Sequence, residues 1–216
     1  NTYYGEISRR IRRFLINTYK DGALRQAGYL EQINADSIKQ LFGVNIENTR
    51  RLLDVHRKSF KDPINAMLAA DIGFSLAGDM LVKADRMSMA NSLEVRSPFL
   101  DKDLVEYAFA LPGKLKIGNF KGKKLLKESF KNRLPSWSIN LSKKGFEVPI
   151  ADWLRNDLKN MLEDSSSKKT LEKIGIVNHA LVDDWKQGLY SGKRDTSWQL
   201  WTIISYKQWL ESKGKF

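Results

Sequence analysis

Apolar residues return every three or four positions along almost the whole chain, the period of helices with one face turned inward. At 5–19 the series Ile7, Ile11, Phe14, Leu15 and Ile16 runs among charged neighbours, and weaker patterns follow at 24–33 and 37–42. Asp62-Pro63 predicts a helix start, with Asp as the cap and Pro in the first turn, where a backbone N–H has no intrahelical partner to lose. That helix is expected to run, buried, to about Phe74. A second pattern covers 75–92, and its Met80, Met87 and Met89 read as flexible core filling. Asp101 is placed to cap a helix carrying Leu104, Val105, Ala108 and Phe109, which Pro112-Gly113 would end.

Further along, Leu115-Lys116-Ile117 reads as a short extended piece, and 123–133 as a helix stopped by Pro135. Residues 136–149 read as a loop. Pro149 opens a helix in which Ile150, Trp153, Leu154, Leu158, Met161 and Leu162 share a face, followed by a solvated linker at 164–167. Two helices close the chain at 178–190 and 196–212, the second capped by Asp195. All six Trp lie after residue 136 and are expected to pack in the core. The pattern predicts a mainly α chain organised as one domain, without internal repeats or heptads.

Composition narrows the chemistry. The 216 residues are 42% apolar and 29% charged, enough for a folded core. Cys is absent and only His56 and His179 are present, which excludes disulfides, thiolate nucleophiles and Cys-ligated metals within these residues. Little remains for a His-based zinc site or a Ser–His–Asp triad. No glycine belongs to a GxGxxG or GxxxxGK[ST] loop. No signal peptide is recognisable, and the most apolar stretch, 66–80, is interrupted by Asp71 and Asp79. The formal charge is +12, from 37 Lys and Arg against 25 Asp and Glu. Most of it sits between Lys114 and Lys144, where ten basic residues face the single acid Glu128. A surplus so concentrated points to a polyanion: a nucleic acid, an anionic surface or the phosphates of a small ligand.

One stretch is far more specific than these generalities. Residues 81–101 contain Asp85-Arg86-Met87-Ser88-Met89-Ala90, then Ser92-Leu93-Glu94-Val95-Arg96-Ser97-Pro98-Phe99-Leu100-Asp101. Downstream come Leu111-Pro112 with Lys114-Leu115-Lys116, Gly122-Lys123-Lys124-Leu125-Leu126-Lys127, and Lys143-Lys144-Gly145-Phe146-Glu147-Val148-Pro149. In order and spacing these segments resemble the synthetase domain of glutamine-dependent asparagine synthetases, most clearly over residues 70–155. Glu147 stands where that family commonly has Gly, and Ser97 where it commonly has Val. The family's SGGxDS loop for ATP and the terminal Cys of its glutaminase domain do not occur here.

The resemblance implies that residues 1–216 are the C-terminal, helical portion of an α/β ATP-pyrophosphatase-type synthetase domain, catalytically incomplete alone. It implies a carbon–nitrogen ligase of asparagine biosynthesis that uses ATP with Mg2+, aspartate and ammonia from glutamine. Lys143 matches a lysine that stabilises the transition state and also contacts the nucleotide. Lys123 matches a lysine facing the phosphates, and Arg86 an arginine near the active-site cleft. Glu94, Arg96 and Asp101 are expected to form an ion pair and a helix cap. A cytoplasmic enzyme follows from the resemblance, with no membrane or nucleic-acid partner, completed by upstream segments of the same chain and compatible with a homodimer. Two other readings stay open on the residues alone: an amidotransferase acting on a sugar or another carboxylate, and a basic helical module binding nucleic acid through 114–144 with Phe120 or Trp137 for stacking.

Overall fold

The computed structural model describes residues 11, 14, 15, 17, 18, 22–45, 48–118, 122–141 and 148–215. The helical pattern at 5–19 therefore lies largely outside the described residues. Within them the chain is helical, with a lone bridge position at Gly118 and no strand. The helices are α1 (Gly22–Leu30), α2 (Ala35–Phe42), α3 (Asn48–Arg57), α4 (Pro63–Ala70), α5 (Leu81–Met89), α6 (Lys102–Ala110) and α7 (Gly113–Lys116). They continue as α8 (Lys124–Phe130), α9 (Ser136–Asn140), α10 (Ile150–Arg155), α11 (Lys159–Ser165), α12 (Lys168–Lys173), α13 (His179–Tyr190) and α14 (Ser197–Ser212). The chain divides into two compact units. The first comprises Asn1–Lys20, Ala27–Asn48 and Phe146–Phe216; the second comprises Asp21–Gln26 and Thr49–Gly145.

The first unit has a conventional core. Leu154 of α10, Leu162 of α11, Leu171 of α12, Val182, Trp185 and Leu189 of α13, and Leu200, Ile203 and Ile204 of α14 are buried together. Leu41 of α2 joins them, and the Leu41 carbonyl accepts a hydrogen bond from Val177 N–H at 2.7 Å. Burying each such side chain contributes about 1.5–3 kcal/mol. The helix expected from Pro149 to Leu162 is broken at Asn156 (φ −122°, ψ −94°), and α11 restarts after Leu158. The stretch at 164–167 is not a solvated linker. Ser165 and Ser166 are buried, and Ser167 caps α12 by accepting from Thr170 N–H. Of the tryptophans, Trp185 is buried and Trp198 and Trp201 pack against the core, but Trp209 and, in the second unit, Trp137 are exposed. Between α11 and α13, Glu163 accepts hydrogen bonds from Lys186 Nζ and Tyr190 Oη, each at 2.6 Å. Those bonds hold the Glu163 carboxyl below its ordinary range, while burial and the bond to Glu163 push the Tyr190 phenol up.

The second unit is built differently. Asp62 caps α4 as expected, its Oδ1 accepting from Ile64 N–H at 2.9 Å and Asn65 N–H at 3.0 Å. Its other oxygen accepts from Gly113 N–H at 3.0 Å, so one carboxylate joins α4 to the turn that follows α6. The backbone must approach closely here: a Cβ on Gly113 would overlap Asp62 and Ile64. Asn65, buried, donates to the carbonyls of Phe109 (3.1 Å) and Leu111 (3.0 Å) and accepts from Lys116 Nζ at 2.6 Å. The Lys116 ammonium also lies 5.1 Å from the centre of the Phe109 ring, which packs on Phe60. Instead of an extended piece, Gly113–Lys116 makes one helical turn.

The two helical patterns at 62–92 form one continuous helix, Pro63–Met89, without the expected break near Phe74. Its middle, Asp71–Met80, is π-helical, the wider form with i→i+5 hydrogen bonds. Burial stops early. Asn65, Ala66 and Ala70 are buried, yet from Asp71 to Pro149 Gly113 is the only buried residue among those described. The methionines are no core filling: Met80, Met87 and Met89 are all more than half exposed. By length and hydropathy this helix meets the requirement for crossing a membrane, although Asp71, Asp79, Lys83, Asp85 and Arg86 lie along it.

The contrast between the units is measurable in their stability. Leu200→Ala should cost about 2–5 kcal/mol in urea unfolding of the first unit, and Met87→Ala in the second about 0.5 kcal/mol or less. Because the Glu163 pKa is depressed, its contribution is present above its ordinary 4.5 and is lost as pH falls through the lower folded value. Glu163→Gln should therefore flatten that acid limb in a stability-against-pH curve while leaving the curve parallel to the parent across the neutral range.

Candidate functional site

The motif-bearing segments from Asp85 to Gly145 fall in the second unit, and local chemistry explains their shape. α5 presents Lys83, Asp85 and Arg86 to solvent. It ends in a Schellman turn: Leu93 N–H donates to the Ser88 carbonyl and Ser92 N–H to that of Met89. Ser92 occupies the left-handed position at φ 55°, where Gly is more usual. Asn91 Nδ2 donates to the Met87 carbonyl at 2.9 Å and Ser88 Oγ to that of Asp85 at 3.0 Å. The chain then runs extended, and Arg96 Nε donates to Glu94 at 2.6 Å. Pro98–Leu100 form a 3-10 turn, and Asp101 caps α6 by accepting from Leu104 N–H at 3.1 Å. Glu94, Arg96 and Asp101 thus make the ion pair and cap expected of them. Being exposed, the pair is worth about 0–1 kcal/mol; its consequence is local shape.

Arg86 is exposed on α5 and makes no side-chain hydrogen bond or ion pair among the described residues, and Glu94 is engaged by Arg96. Lys123 is exposed at the N-terminal end of α8 in the left-handed region, φ 59° and ψ 32°. For a side chain with a Cβ that conformation costs about 1–2 kcal/mol, so it persists against a local preference. Lys143 lies outside the described residues, as do Lys121, Lys144 and Glu147.

The basic cluster is chemically divided. Lys116 is committed to Asn65 and the Phe109 ring, and burial lowers its pKa, with Asp62 acting in the opposite direction. Lys131 faces Glu128 across a loose 3.9 Å. Lys114, Lys123 and Lys124 remain exposed, available to an anion from outside. The Asn65–Lys116 bond was not foreseeable from sequence, since nothing marks Asn65 beyond its position one turn after a cap. Among the described residues no three carboxylate or imidazole side chains converge as metal ligands. The described acids therefore assemble no Mg2+ site by themselves. Of the candidate site residues, the two that are described, Arg86 and Lys123, are both exposed cations.

Comparison with known proteins agrees with the motifs. The family described as "Asparagine synthase" matches residues 4–211. Asparagine synthetase [glutamine-hydrolyzing] 1 of Bacillus subtilis is 36% identical over 155 residues, covering 70% of this chain and 23% of that protein. A putative asparagine synthetase [glutamine-hydrolyzing] of Mycobacterium bovis is 36% identical over 149 residues, 68% of this chain and 22% of its own. Amidase chyE of Penicillium rubens is 31% identical over 100 residues, 44% of this chain and 15% of its own. No solved structure matches. The chain belongs to the asparagine synthase family, and its match spans between a fifth and a quarter of the length of these synthetases.

Lys123→Gly should release the left-handed strain. Urea unfolding is expected to show a gain of about 1 kcal/mol, whereas Lys123→Ala, which keeps a Cβ, should show none.

Proposed function

We propose that this chain is the helical, cation-bearing part of a glutamine-dependent asparagine synthetase, the C-terminal portion of an α/β ATP-pyrophosphatase-type domain. The family match over residues 4–211 carries the reading. It is supported by the second unit, where apolar side chains such as Phe99 and Tyr107 (both 64% exposed) and Met87 (61%) remain uncovered over the stretch that holds the motifs. So much exposed apolar surface suits a face completed by further polypeptide. On this reading the chain alone is inactive, and the remainder of a longer protein supplies the nucleotide loop and the glutaminase. The working enzyme is cytoplasmic, with small-molecule substrates.

The reaction balances as two displacements. A carboxylate oxygen of aspartate attacks the α-phosphorus of ATP, and the bond to pyrophosphate breaks with the electron pair leaving on that group. Ammonia then attacks the acyl carbon, AMP departs with the bonding pair, and the nitrogen loses a proton to give the amide. In the first step negative charge gathers on the departing pyrophosphate. Lys143 and Lys123 are the residues that meet it, each a compact cation with three donors. Arg86, unpaired among the described residues, is free to orient a carboxylate or phosphate with its planar fork. Because one relative is named an amidase, a second acceptor class is tested in parallel.

In the full-length protein, Lys143→Ala should lower aspartate-dependent ATP–pyrophosphate exchange by about 10²–10³-fold while glutamine hydrolysis continues. Exchange at the parental rate would remove Lys143 from catalysis. Exchange driven by another carboxylic acid and not by aspartate would redirect the acceptor.

A further inference from the structure

The π-helical segment Asp71–Met80 separates two stretches of ordinary α-helix, and the two ends of the segment are held very differently. At its start, Asp71 Oδ1 accepts from Gln26 Nε2 of α1 at 2.6 Å. The same Gln26 nitrogen donates to the Met67 carbonyl at 2.9 Å, in the last turn of α4, where the Asp71 N–H is already shared between Leu68 and Met67. Gln26 is buried, and its oxygen accepts from Arg57 Nη1 of α3 at 2.7 Å. Just beyond Asp71, the His56 ring of α3 lies within 3.0 Å of where a Cβ on Gly73 would be, so a larger residue there would have to displace that ring. α1 and α3 thus grip the helix at the point where α geometry gives way to π.

The other end has no such grip. Leu81 N–H still reaches back five residues to the Leu76 carbonyl, but Gly78, Asp79 and Met80 are exposed and nothing stands within 4 Å of the place a Gly78 Cβ would occupy. In mid-segment the Ser75 hydroxyl is shielded without a hydrogen-bond partner. π geometry is the rarer form and persists where the surroundings impose it. Here the surroundings do so at one end only. Any change of winding within the segment turns α5 about its axis, because each residue gained or lost from an α-helix rotates the downstream turns by about 100°.

We propose that Gln26, with Asp71 and with His56 against Gly73, sets the rotational phase of α5, so that these are positioning residues for the Asp85-Arg86 face of that helix. The consequence for turnover rests on the reading of Arg86 as an active-site group; the positioning itself does not.

The test uses the full-length protein with spin labels on non-natural residues at positions 58, just after α3, and 83, on α5, both outside the grip. Gln26→Glu sets a carboxylate against Asp71 and should shift or broaden the 58–83 distance distribution. Adding Asp71→Asn restores the donor–acceptor pair at position 71 with the roles exchanged, though not the bond to the Met67 carbonyl, and should return the distribution toward the parental one. A parental distribution in Gln26→Glu overturns the proposal. Should that variant not fold, Gln26→Asn, neutral and one methylene shorter, carries the same expectation and the same refutation. Synthetase kcat should fall by about 10²-fold in Gln26→Glu, as a misplacement near 1 Å can cause, and recover in the double variant. Distances that move while kcat stays parental support the positioning and count against Arg86 instead.

Discussion

Asp62 holds together two parts of the chain that are 51 residues apart, using one oxygen for the start of α4 and the other for Gly113. A carboxylate accepting three backbone N–H groups is a charge-assisted tie, stronger than neutral hydrogen bonds, and those bonds hold its pKa below the ordinary carboxylate value. Asn65 extends the tie to Phe109, Leu111 and Lys116. Both arms that carry candidate chemistry depend on it: α4 continues through the π segment to Arg86, and α7 packs on α8, which begins after Lys123. A polar joint of this kind suits a unit with so few buried apolar side chains to fix its geometry.

The two units therefore stand on different physics. The first is held by burial, with apolar side chains from six helices meeting in one core. The second is held by caps, a carboxylate, an amide and a ring under an ammonium, and many of its apolar residues face outward. Exposed apolar surface, in a chain whose match covers less than a quarter of its synthetase relatives, is the structural feature that most supports the proposal of a larger enzyme completing it. Charge follows the same logic. The basic segment is no uniform patch: Lys116 is consumed by structure, and Lys123 is kept exposed in a conformation that its own side chain disfavours.

Much of the local architecture was legible in the residues. Asp62-Pro63, Asp101 and the helix beginning near 178 are set by bonds spanning three or four residues, which a sequence displays directly. The cysteine-free, histidine-poor composition narrowed the chemistry, and the ordered motifs from Asp85 to Pro149 led to the family that the comparison identified. Arg86 and Lys123 were named from those motifs, and the structure adds their exposure and the backbone strain at Lys123. The engagement of Lys116 escaped detection, because its partner Asn65 lies 51 residues away.

Periodicity says which residues share a face of a helix; it does not say whether anything covers that face. Met80, Met87 and Met89 keep helical spacing and are exposed, while Ser165 and Ser166, polar and loop-like in sequence, are buried in the first unit. The π segment is equally invisible in the residue order, since its winding answers to a glutamine on α1 and a histidine on α3. Caps, helical period, charge placement and family belong to the sequence because they arise between near neighbours or in the composition itself. Burial, helical phase and the division of lysines into structural and exposed were decided by tertiary structure, because each depends on groups that only folding brings into contact.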